Sequence, residues 1–538
     1  MRRVFPAVLL LAAAAGTGWW LTSRPTPLER GRRLLDGGDT AGAIEVFRRA
    51  LDRDPAPTDE EGLRESLSRA HLLRGAVENA EEELKRLREK FPRNAYAPLG
   101  LGFTYLARGF DRFAVDSFLA AKDAAPDDLR PALSLAAARA FREEWDEARR
   151  EYLGVLERSP AEASALRGLA RACRALGRHD EAAVRYREAL SVLPQDAGSM
   201  HGLARTLLAL GHPDEAQQVW ESLPESARSA AAGRILRADV LEASGRTEDA
   251  GDALREAVEQ EPRHPLALMR RARWCAKRRD FEESRALLER AAQSLPKAQA
   301  ASGSFAGLSE ILDSLETKAA ARRLHVENEL AWADLETARG THAEAERRLL
   351  RALELSPNDV EAFRSLADLK RRQGDDEQRD RWLALALERH PAHADVLLDA
   401  AEAALAARRV PEAAEREAVS RGSAVSLPRG LRVRTEILLA DRRPAEARAT
   451  AAEARRLFPA HPQALLAAGL TASSPAEALA VLEQAAVADP FDARIRRTLA
   501  AFLTAADRGL AARHQLREAD LLEPPPPRSV PGVRSRRP

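Results

Sequence analysis

The sequence predicts an all-α solenoid of about fourteen helix–turn–helix units, each of 34 residues. Three observations carry that prediction. At 538 residues the chain is too long for one compact core. It is rich in Ala, Leu, Arg and Glu, all strong helix formers, and almost no segment alternates apolar and polar residues at the period of a strand. Finally, one outline returns in constant register. Stepping by 34 gives Pro92, Pro126, Pro160, Pro194, a miss at Arg228, then Pro262 and Pro296. Proline is 31 of 538 residues, so six hits in seven is far from chance.

The unit Ala163–Asp196 defines the frame. Its twentieth position recurs as Ala80, Ala114, Ala148, Ala182, Ala216, Ala250 and Ser284. Its eighth recurs as Ser68, Gly102, Ala136, Ala170, Ala204, Ala238 and Ala272. All are small, as two helices folded closely on each other require. The proline follows the second helix, where its ring and missing N–H stop continuation.

Taken in order, residues 1–23 form a targeting or membrane segment outside the array. Arg2 and Arg3 precede an uncharged run from Val4 to Ser23. An uncleaved anchor would use Val4–Leu21, with Trp19 and Trp20 at the interface. A cleaved signal would instead use Val4–Leu11, with a small-residue site near Ala13–Ala15. Arg2, Arg3 and the short N-terminal tail favour an array on the exported side of the membrane, periplasmic or extracytoplasmic, against Arg24, Arg30, Arg32 and Arg33 on the other flank; cleavage would leave the protein secreted. Thr26, Pro27 and Glu29 then read as N-cap, first helical residue and capping-box partner.

The first part of the array spans 24–298. Residues 299–325, "QAASGSFAGLSEILDSLETKAAARRLH", interrupt it and read as a degenerate unit or a hinge. The second part resumes at Val326 and spans 326–526; within it Ala394–Leu427 is a weak unit with loose boundaries. Residues 527–538 form a Pro/Arg tail that cannot pack, expected to be extended or disordered.

Small residues at positions 8, 20 and 27, proline at 32, and a bulky residue at 24 (Phe47, Phe118, Tyr152, Tyr186, Trp220) together resemble the tetratricopeptide repeat family. Tyr105 matches the family's aromatic at position 11, whereas the Trp expected at position 4 is absent. The resemblance covers about nine-tenths of the chain. It implies a right-handed superhelix whose first helices line a concave groove for protein partners.

Charge is balanced, 84 Lys and Arg against 83 Asp and Glu, so no global field draws nucleic acid or an acidic membrane. Only seven of those cations are Lys, which fits GC-rich coding as well as selection for bidentate pairing. Cys173 and Cys275 both fall at position 11, three units apart, too far for a disulfide. No phosphate loop, nucleophile elbow, zinc motif or other catalytic signature is present, and no cofactor or metal site is expected. His390 and His393, spaced H-x-x-H, have no third ligand in sight.

The expected function is therefore a membrane-associated protein-interaction scaffold and not an enzyme. The alternative is a fixed component of an envelope secretion or polysaccharide-export machine. If first helices line the groove, positions 2, 5, 9 and 12 look into it. They place Arg167, Arg171, Arg174, His201, Arg205 and Arg273 there as candidate partner-binding residues, followed by acidic Asp239, Glu242, Asp334, Asp368 and Glu402. The Lys and Asn set with which the family clamps a C-terminal carboxylate is not found. In so Arg-rich a chain such a cluster also reads as a solvated face laced with ion pairs.

Overall fold

The computed structural model describes residues 25–296, 308–421 and 428–523. The 1–23 segment and the 527–538 tail therefore lie outside the described residues. Among the described residues every regular element is a helix, 29 in all. Fourteen pairs of consecutive helices account for all but the short helix Glu225–Ser229. That helix occupies the turn where proline is missing, at Arg228.

The register is visible in the packing. Ala80, Ala114, Ala148, Ala182, Ala216 and Ser284 are fully buried, and Ala250 nearly so. Pro92, Pro126, Pro160, Pro194, Pro262 and Pro296 each lie two residues past the end of a second helix. Bulky position 24 explains the small first-helix residues. A Cβ on Gly102 would lie 2.4 Å from Cε1 of Phe118, so only glycine lets that ring close over the helix.

Every first helix but Pro462–Leu470 ends in the same left-handed turn. Gly177 has φ +74°, Arg178 N–H donates to the Cys173 carbonyl at 2.8 Å, and Gly177 N–H donates to that of Arg174 at 3.1 Å. This is a Schellman-type stop. Gly75, Gly109, Gly211, Gly245, Gly340 and Gly374 repeat it, while Glu143, Arg279, Arg408, Arg442 and Asp507 hold the left-handed conformation without being glycine.

Two compact units divide the described chain: 25–151 with 308–319, and 152–296 with 320–523. The first begins at helix Pro27–Asp36, where Thr26 Oγ1 accepts from Glu29 N–H and the Glu29 carboxylate accepts from Thr26 N–H. The expected capping box is thus formed. Its core includes Phe103 and Phe118 packed edge-to-face, ring centres 4.9 Å apart.

In the second unit the pairs run regularly from Ala163–Ala175 with His179–Val192 to Ala493–Ala505 with Gly509–Leu522. The weak stretch is an ordinary pair, Ala394–Ala406 with Val410–Arg421. Cys173 and Cys275 are free and buried, and burial pushes the Cys275 thiol up to about 12.

The interruption has a definite form. No helix starts at Val326; that residue sits inside the 32-residue helix Leu308–Arg339. No Gly or Pro occurs between Leu308 and Arg339, so nothing in the chain stops the helix there. Residues 299–307 lie outside the described residues.

Candidate functional site: the charged inner wall of the second unit

First helices of the second unit bring long charged side chains into a common cleft. Helix Pro265–Lys277 supplies Arg273, whose guanidinium reaches three carboxylates: Asp334 at 2.6 Å, Glu361 at 2.6 Å and Glu327 at 3.8 Å. Glu361 is 88 residues from Arg273, so chain distant in sequence meets here. Burial acts against the Arg273 charge, but Asp334, Glu361 and Glu327 outweigh it and hold its pKa well above the usual arginine value.

The pattern continues along later first helices. Arg364 and Arg429 each lie 2.5 Å from Asp399. Glu402 accepts from Arg429 at 3.1 Å and also from Arg432, and lies 3.5 Å from Arg494. Burial opposes its ionisation, yet Arg429, Arg432 and Arg494 bring its carboxyl down to about 2. Three cavities open on this wall, of about 500, 580 and 1000 Å³. The largest is lined by Arg364, Asp399, Glu402, Arg494, Phe502 and Leu522, among others. Volumes of this order suit extended ligands.

The residues expected from the sequence separate into two groups. Arg273 is committed to three acids and does not join the basic patch. Arg167 leans on Asp196, 3.6 Å away. His201 Nδ1 lies 2.8 Å from the Ala197 carbonyl, while its Nε2 is buried with no partner among the described residues. Asp239 and Glu242 face the same cleft but are already paired, with Arg270 at 3.0 Å and with Lys277.

Arg174 and Arg205 do come together, lining one cavity, and Arg323 lies on helix Leu308–Arg339. Burial lowers the Arg205 pKa; Asp239 offsets this in part, and Arg270 and Arg174 lower it further. Arg323 falls to about 10, through burial and then repulsion by Arg174 and Arg171. Arg323 escapes sequence reasoning because it lies in the interrupted stretch, where no 34-residue register assigns a face.

His390 Nε2 lies 2.9 Å from the Asn358 carbonyl, and among the described residues no three His, Cys, Asp or Glu side chains converge. Also among the described residues, no helix is long and apolar enough to cross a membrane.

Comparison with known proteins agrees with this repeat geometry. Family models match at residues 33–195 (protein kinase G tetratricopeptide repeat), 174–240 and 236–299 (both tetratricopeptide repeat). With the fourteen hairpins, these matches place the chain in the tetratricopeptide repeat family, whose arrays act as protein-interaction scaffolds. Among solved structures, the APC/C hetero-tetramer Cut9-Hcn1 matches with a TM-score of 0.54 at 12% identity, over 94% of this chain and 95% of that one. This shows the α-solenoid fold. A tetratricopeptide repeat protein from Parabacteroides merdae matches at 17% identity and TM-score 0.36, covering 49% of this chain and 97% of that one. MamA matches at 21% identity and TM-score 0.28, covering 31% and 96% respectively. No curated protein matches the chain.

Proposed function

We propose that the protein holds partner proteins against the inner wall of its second unit, close to a membrane through its N-terminal segment. One observation carries the reading: first helices of successive repeats line a continuous charged cleft with cavities of up to about 1000 Å³. Such a wall suits an extended polypeptide, because long side chains from several helices can each meet one part of it. The uncharged run from Val4 to Ser23 supports membrane association.

Crosslinking the full chain in its native membrane and identifying what is captured tests this. A scaffold captures several partners, each substoichiometric. One constant set of partners would instead mark a fixed part of an envelope machine. Capture of no protein would refute both.

A further inference from the structure

Ion pairing along the inner wall of the second unit has one gap. Arg270, Arg273, Arg364, Arg429 and Arg494 each have a carboxylate within 3.0 Å. Arg174, Arg205 and Arg323 have none within 4.0 Å among the described residues. The Nε atoms of Arg174 and Arg205 are buried and make no hydrogen bond there. Buried donors are rarely left unmade, because each forfeits its hydration without return. Holding like charges together in a partly desolvated cleft adds to that cost.

Local chemistry says what would relieve it. Arg174 and Arg205 front the cavity of about 500 Å³, together with Leu208, Ala209 and Ala243. Asp239 and Glu242 on the same cavity are already engaged by Arg270 and Lys277. The charge left over is positive. Guanidinium forks match carboxylate oxygens two at a time. The donors come from two different first helices, and the cavity is far larger than one oxyanion needs. Its apolar floor suits the methylenes of an acidic side chain.

We propose that Arg174 and Arg205 form a subsite for an acidic segment of the partner, a run of Asp or Glu whose carboxylates complete both guanidiniums. The inference rests on the scaffold reading and names the chemistry of its ligand.

A fluorescent oligoglutamate peptide, titrated into the full-length protein and followed by anisotropy, tests it. Wild type should bind oligoglutamate but not oligolysine, and more weakly as salt rises. The variant R174Q/R205Q should lose affinity by about tenfold or more. Removing mutual repulsion should also raise the melting temperature of R174Q/R205Q at low salt, an outcome that a folding defect cannot mimic. Equal binding by wild type and R174Q/R205Q would overturn the proposal. So would a cluster stabilised by inorganic phosphate that ignores the peptide, which would mark a simple oxyanion site. If native crosslinking captures partners but oligoglutamate does not bind, this inference falls and the scaffold reading stands. If oligoglutamate binds in the predicted way but no partner is captured, the subsite stands and the scaffold reading falls.

Discussion

Replacing Ala182 by Leu puts the repeat register under direct strain. Ala182 and Ala170 are the small positions of the two helices in the hairpin Ala163–Ala175 and His179–Val192, and both are fully buried. A methyl becomes an isobutyl group where neither helix has room. Overpacking of this kind costs about 1–3 kcal/mol. Stability in a repeat array is close to a sum of nearest-neighbour terms, so the loss should stay near this hairpin. At about 1.4 kcal/mol per tenfold, opening there should rise by about 5- to 150-fold. Hydrogen exchange reads it as faster exchange across Ala163–Val192, with helices several repeats away unchanged. Val184→Leu on the same helix is the control, since Val184 is 49% exposed. Unchanged protection in A182L, or equal loss in both variants, would refute the register.

Other expectations follow from the turns, the histidines and the N-terminus. Gly177→Ala should destabilise by about 1–2 kcal/mol, because φ is +74° and the added Cβ would lie 3.2 Å from His393 Cα; Arg442→Gly, at φ +61°, should be neutral or stabilising in the same melts. Burial, with Arg364 and His179 nearby and Asp395 only partly offsetting them, lowers His393 to about 4; burial does the same to His461. Both stay neutral when folded and protonate more readily when unfolded. The stability they contribute is complete above pH 6.5 and is lost as pH falls toward 4, by up to about 1.4 kcal/mol per pH unit for each ring before solvent screening. Denaturant melts of His393→Asn should show a flatter acid limb, and an unchanged limb would count against buried neutral rings. If 1–23 is an uncleaved anchor, intact mass will retain Met1 or Arg2 and the protein will need detergent; a mature start near Gly16 with soluble protein would exclude it.

The hairpins were legible because each small residue or proline acts locally. Ala182 lets two adjacent helices approach, and Pro194 stops the helix just before it. The capping box at Thr26 and Glu29 is equally local. What the sequence hides is how small rotations between repeats accumulate. Arg273 looks like one more groove cation until helices 88 residues apart meet and surround it with acids. Arg323 looks like part of a hinge or failed repeat until it appears on the helix Leu308–Arg339, where Arg174 and Arg171 repel its charge. Such long-range placements decide which charges are cancelled, and therefore which remain for a partner.

The most direct test of partner capture on this wall is site-specific photocrosslinking in the native membrane. A photoreactive residue replaces either Leu208, which lines the basic cavity, or Arg255, which is exposed on the second helix Thr247–Gln260. The account predicts partner adducts from position 208 that oligoglutamate competes away, and none from position 255. Adducts from position 255 with none from 208 would contradict it.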